Sequence, residues 1–175
     1  MPPKPKHFLQ PALFLDFDGT IRYSKTGKLI NKIEDIVLFP DVEEKLWEYR
    51  EKGYLILGIT NQGGVAFGFK KPETMEKELQ ATLDLFSNNP FHDVKTCFHH
   101  EKGHVEPYNH RSLLRKPDIG MLVQYEMEYF SQGIIIDWDN SIFVGDRPED
   151  EECARRADIE FIPAEVFFNR EPENK

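Results

Sequence analysis

The run Pro11-Ala12-Leu13-Phe14-Leu15 is apolar almost without a break, and it stops at Asp16-Phe17-Asp18-Gly19-Thr20, where two acids stand one residue apart. A short, continuously apolar segment fits a strand buried on both faces, as in a parallel sheet covered by helices. Gly19 then permits a turn. Alternation along extended chain sends the Asp16 and Asp18 side chains to the same side, and the loop beginning at Gly19 frees backbone carbonyls to face them. Oxygen ligands at that density suit Mg²⁺, which keeps several waters and accepts one or two carboxylates.

The same pattern recurs along the chain. Tyr54 to Ile59 is again apolar and delivers Thr60-Asn61-Gln62-Gly63-Gly64, and Val94 to Phe98 precedes a long loop that ends at Arg115-Lys116-Pro117. Ile134 to Trp138 and Ser141 to Val144 follow, the second ending in Gly145-Asp146-Arg147-Pro148-Glu149-Asp150, and a last strand is expected around Phe161-Ile162. Helical spacing fills the intervals. Asp41 is expected to cap a helix that buries Val42, Leu46 and Tyr49 and stops at Gly53. Pro72 opens a second, striped by Met75, Leu79, Leu83 and Phe86. Asp118 is expected to cap a third, with Met121, Leu122, Tyr125, Met127 and Phe130 offered to the core, and a short helix follows from about Glu149 to Ala157. Between Arg22 and Phe39 a polar passage reads as a small flap beside the acids. The alternation predicts an α/β fold: three layers, Rossmann-like, with a mostly parallel central sheet and no large cap domain. In such sheets ligands gather outside the carboxyl ends of the strands.

A single domain over residues 11–168 is expected from the 175-residue length, with loose tails over 1–10 and 169–175, where proline and charge leave little to bury. The net charge of −9 argues against an extended nucleic-acid footprint and favours a small-molecule partner. Two cysteines far apart, and no apolar stretch of membrane-spanning or signal-peptide character, predict a cytoplasmic monomer.

Asp16-x-Asp18-Gly19-Thr20 resembles the first motif of the haloacid dehalogenase-like (HAD) phosphatases, and Thr60, Lys116 and Asp146/Asp150 follow in the order of that family's later motifs. The resemblance implies a phosphomonoester hydrolase working through an aspartyl-phosphate. Asp16 would be the nucleophile and Asp18 the general acid and base, with a neighbouring carboxylate raising the Asp18 pKa. Thr60 would bond the phosphoryl group, Lys116 would neutralise it, and Mg²⁺ would sit on Asp16, Asp146 and the Asp18 carbonyl, with Asp150 in support.

Thr60-Asn61-Gln62 and Arg115-Lys116-Pro117 narrow the resemblance to the capless branch that includes heptose-bisphosphate, histidinol-phosphate and polynucleotide 3′-phosphatases. Asn61, Gln62 and Arg115 would then contact substrate. That branch often carries a zinc loop, but Ser112 and Leu114 stand at two of its cysteine positions, and Leu114 cannot be a ligand. An irregular zinc site could draw on Cys97, His99 and two of His100, His104 and His110. Phe67 stands where heptose-type enzymes tend to have Arg, which weakens a bisphosphate substrate. The reading is a Mg²⁺-dependent phosphatase of a small sugar-phosphate-like metabolite. The alternatives are a 3′-phosphatase for nucleic-acid ends and an idle binding protein on the same fold.

Overall fold

A computed structural model describes residues 7–27 and 29–170. Its centre is a five-stranded sheet in the order β6-β5-β2-β8-β9, built from β2 (Ala12–Leu15), β5 (Leu55–Asn61), β6 (Asp93–Cys97), β8 (Ile142–Gly145) and β9 (Glu160–Pro163). Every neighbouring pair is parallel. Parallel strands need crossovers, and the helices supply them on both faces. α1 (Val42–Glu51), α2 (Pro72–Asp84) and α5 (Ala164–Phe167) cover one face, and α3 (Gly120–Ser131) and α4 (Pro148–Arg156) cover the other.

β2 shows why its sequence has to be apolar throughout. Leu13 and Leu15 enter the core under α1 and α2, while Ala12 and Phe14 enter the core under α3 and α4, and all four are fully enclosed. Burying a side chain of Leu or Phe size is worth about 1.5–3 kcal/mol. A charge at any of these positions would therefore be costly, and the first acid comes where the strand ends. Gly58 is small for a packing reason, because a Cβ there would lie 2.6 Å from the Phe17 ring.

Two small sheets flank the centre. β3 (Arg22–Ser24) pairs antiparallel with β4 (Ile36–Leu38) to make the flap expected after Thr20. β1 (Phe8–Gln10) pairs parallel with β7 (Ile134–Ile136). The loose N-terminal tail expected over 1–10 is thus corrected at its last three residues: they gain ladder hydrogen bonds from a partner far along the chain. The remainder of that expected tail, Met1 to Lys6, and residues 171–175 of the C-terminal one lie outside the described residues.

Helix ends differ from expectation too. Asp41 precedes α1 with φ of 64° and makes no side-chain cap, and the residue before α3 is Ile119. Asp118 is occupied by Arg156, at 2.5 Å, and Arg111, at 3.5 Å. On α3, Met127 and Phe130 face outward and Tyr129 is buried in their stead. Their spacing fits a helix, but the face is chosen by how α3 lies on the sheet. No helix among the described residues is long and apolar enough to cross a membrane.

Candidate active site

The carboxyl ends of β2, β5 and β8, with the loop before α3, bring the candidate residues together. The Asp16 amide donates to the Val144 carbonyl at 3.1 Å, fixing the first acid beside the end of β8. Lys116 is buried, and its Nζ lies 2.5 Å from Asp16 Oδ1 and 2.7 Å from Asp150 Oδ1 while donating to the Ile59 carbonyl at 3.0 Å. One ammonium thus joins the ends of three separate elements.

Asp150 owes its place to α4. Pro148 opens that helix and three acids fill its first turn, as the positive end of the helix dipole favours. The other oxygen of Asp150, Oδ2, accepts the Asp146 and Arg147 amides at 3.2 and 3.1 Å. Gly145 is required beneath it: a Cβ would fall 2.4 Å from the Asp150 Cβ.

Asp16, Asp146 and Asp150 offer carboxylate oxygens that all lie within 4.8 Å of one another. Gly19, at φ of +87°, forms a cradle under Asp146, because a Cβ there would come 2.2 Å from Asp146 Oδ2. An all-oxygen donor set of this kind fits a hard divalent cation and not a soft one. The electrostatics agree. Burial raises the Asp16 carboxyl to about 7, against the pull of Lys116 and with Asp150 adding to the rise. Burial also works against the Lys116 ammonium, but Asp16 and Asp150 outweigh it and hold it above its ordinary value. Two acids share one base, so a second positive charge would complete the balance.

Asp18 is held differently from expectation. Its Oδ1 takes the Arg22 Nε at 2.7 Å and its Oδ2 the Gln62 Nε2 at 2.7 Å. Burial raises this carboxyl, but Arg22 and then Gln62 outweigh it and leave it below its ordinary value. The rise expected from a neighbouring carboxylate is overridden by a guanidinium in contact. Thr60 is buried at the end of β5, and its Oγ1 accepts from Gln62 Nε2 at 2.8 Å.

The residues expected to touch substrate are largely engaged with protein. Asn61 clasps the Lys116 backbone in both directions, Nδ2 to the carbonyl and Oδ1 from the amide, each at 3.0 Å. Gln62 bridges Thr60 and Asp18. Arg115 donates to the His99 carbonyl at 3.3 Å, above Gly63. The loop from His99 to Arg115 is sewn to the one from Gly63 to Phe69, since His104 and Val105 both donate to the Ala66 carbonyl. Phe67 stacks on Phe69 and lies tilted against the His100 ring there.

The zinc reading is not supported by this loop. Cys97 Sγ lies 3.9 Å from His99 Nδ1 and the His99 and His110 rings are 4.6 Å apart, but His104 packs beside Phe67 and Gly68. Among the described residues only the three acids are grouped at metal-ligand spacing. Burial also raises the Cys97 thiol, disfavouring the thiolate that zinc takes.

Sequence reasoning missed two basic residues. Arg22 was read as part of a polar flap and is 1% exposed. Arg170, read as tail, donates from Nη2 to the Thr20 carbonyl at 2.7 Å and lies between the Phe39 and Phe168 rings. An aromatic-rich end, Phe167-Phe168, was the available signal for the second.

The family model for polynucleotide kinase 3 phosphatase matches residues 12–168. A D-glycero-alpha-D-manno-heptose-1,7-bisphosphate 7-phosphatase of Photorhabdus laumondii is 34% identical over 152 residues, 83% of this chain and 77% of that protein. A Mesorhizobium loti protein assigned as a HAD-like phosphatase superposes with a TM-score of 0.74 at 28% identity, covering 91% of this chain and 74% of that one. The D,D-heptose 1,7-bisphosphate phosphatase of B. bronchiseptica, solved with magnesium and phosphate, shares the fold with a TM-score of 0.68 at 19% identity, over 88% and 79%. A parallel sheet that gathers acids and a lysine at its carboxyl ends, and a family match over nearly its whole length, make this chain a member of the polynucleotide kinase 3 phosphatase family of HAD-like phosphatases.

Proposed function

We propose that this phosphatase removes the phosphate from a small sugar-phosphate-like metabolite, with Mg²⁺ held by Asp16, Asp146 and the Asp18 carbonyl. The observation that carries the reading is Lys116 Nζ set between Asp16 and Asp150, beside the cradle that Gly19 makes for Asp146. Relatives named as heptose-bisphosphate phosphatases support the substrate class. Bound there, the cation supplies positive charge against the phosphoryl oxygens.

The chain's own residues do the rest. The Asp16 carboxylate attacks phosphorus while the bond to the alcohol oxygen breaks, and Asp18, protonated in the substrate complex against the pull of Arg22 and Gln62, gives that oxygen its proton. Asp18, now ionised, takes a proton from the water that attacks the aspartyl-phosphate. Orthophosphate leaves and Asp16 is restored. Lys116 and the Thr60 hydroxyl offset the charge on the phosphoryl group through both steps. Asp150 holds Lys116 in line, and Asn61 fixes the backbone that carries it.

A substrate panel tests the reading: sugar monophosphates, a sugar bisphosphate, p-nitrophenyl phosphate and a 3′-phosphorylated oligonucleotide, each with Mg²⁺ and with a chelator. Expected is Mg²⁺-dependent release of phosphate, fastest from a sugar phosphate and lost in Asp16→Asn. Preference for the oligonucleotide would overturn the substrate class, and turnover by Asp16→Asn would overturn the nucleophile.

A further inference from the structure

Resting on that phosphatase reading, we propose that Arg22 is the positioning residue of the reaction: it aims the Asp18 carboxyl at the leaving oxygen, braced from behind by α2.

The observations are geometric. Arg22 is 1% exposed, an unfavourable place for a guanidinium unless its donors are used. Nε donates to Asp18 Oδ1 at 2.7 Å, and Nη1 donates to Thr82 Oγ1 at 2.6 Å and to the Glu78 carbonyl at 3.3 Å. The Phe17 ring lies 5.7 Å from the guanidinium carbon, within reach of a cation–π contact. The pair is lopsided: the Arg22 side chain is 1% exposed and the Asp18 side chain 35%. An ion pair that served only to fill the core would enclose both partners. Here the cation is enclosed and the acid is left open toward the site.

α2 bears the cost of this arrangement. Its inner face carries Glu78 and Thr82 at 1% and 0% exposure, in a helix whose other buried contacts are apolar. Thr82 both accepts from Arg22 and donates to the Glu78 carbonyl at 2.8 Å, so its one hydroxyl proton is committed to its own helix and its oxygen faces Arg22. The Glu78 carboxylate is in turn neutralised by Lys70 Nζ at 2.8 Å, and Lys70 also reaches the Ile30 carbonyl in the flap. Backbone geometry fixes the near end, because the Gly19 amide donates to the Arg22 carbonyl at 2.9 Å and the Arg22 amide to Phe17 at 3.1 Å. Arg22 is therefore held at both ends, by the motif loop and by α2, and its one exposed commitment is Asp18.

A residue that aims the general acid matters in proportion to how much the leaving group needs a proton. An alkoxide leaving from a sugar phosphate needs one, and p-nitrophenolate does not. The test compares kcat/KM, which reports the step in which the alcohol leaves, for both substrates in Arg22→Gln, Arg22→Lys and Thr82→Val. Arg22→Gln is expected to lose about 100-fold on the sugar phosphate, the lower end of what general acid catalysis contributes. On p-nitrophenyl phosphate it is expected to lose less than tenfold. Arg22→Lys recovers part of the difference, and Thr82→Val, which keeps both charges, shows the same ranking at smaller size. Equal losses on the two substrates, or a change confined to KM, would overturn the assignment.

Thermal unfolding of Asp18→Asn, Arg22→Gln and the double variant reads the pair without turnover. A Tm loss in the double smaller than the sum of the singles supports the contact, and additive losses overturn it. Absence of any Mg²⁺-dependent turnover in the unaltered chain would instead overturn the phosphatase reading itself.

Discussion

At the scale of single residues, the site is governed by positions where one atom more or less decides the outcome. Gly19→Ala would place a methyl 2.2 Å from Asp146 Oδ2 in a backbone conformation that alanine resists. It is expected to abolish the stabilisation of the chain by Mg²⁺, measured as the rise in Tm on adding the cation. Lys116→Met leaves Asp16 and Asp150 facing each other without their shared cation. A kcat lower by at least about 100-fold is expected, the scale seen when one preorganised charge-stabilising group is removed. Phe67→Arg puts a bidentate donor into the loop from Gly63 to Phe69, and the ratio of kcat/KM for a sugar bisphosphate over its monophosphate is expected to rise. Asp16, Asp18, Thr60, Lys116, Asp146 and Asp150 could be picked out beforehand because each follows an apolar run or lies in a short motif of fixed order. Arg22 could not, since nothing in Arg-Tyr-Ser-Lys-Thr tells a buried guanidinium from a solvated one. Asn61 and Gln62 are expected from the sequence to contact substrate, and in the fold they bond protein groups. Their amides face Lys116 and Asp18 because buried polar backbone and charge must be satisfied before any ligand arrives.

At the scale of elements, the central strands were legible and their neighbours less so. Continuous apolar runs can be buried only one way in an α/β layer, whereas β1 depends on a partner more than 120 residues later and left no local mark. Burial of α3 likewise rests on the sheet beneath it. The start of β6 carries a titrating contact outside the site. His92 Nδ1 accepts the Ile56 amide at 2.9 Å, which a protonated ring could not do, and burial, followed by Arg50, holds the ring below its ordinary 6.5. A lowered histidine gives stability that is whole above 6.5 and is lost as pH falls through the folded value, because the unfolded chain takes up its proton first. Tm is therefore expected to decline below about pH 6.5. His92→Asn, which keeps an acceptor but does not titrate, should flatten that part of a Tm–pH profile.

At the scale of the whole molecule, net charge and layer order converge on one end of the sheet. The chain carries −9, and three of its acids lie within 4.8 Å of one another. A cation binding the folded chain alone at a hundred times its Kd adds about 2.7 kcal/mol. For a chain of this size that amounts to several degrees in Tm. Chelation is expected to remove the gain, and Asp146→Asn to prevent it.

Arg170 ties the C-terminal side of this domain to the loop after β2. Its guanidinium grips the Thr20 carbonyl, so the last described residue acts as a clasp on the loop that follows the first catalytic strand. Shortening the chain to Asn169 would cut nothing from the sheet, yet the loop would lose its fastener. Such a truncate should fold with a nearly unchanged far-ultraviolet spectrum and hydrolyse substrate more slowly.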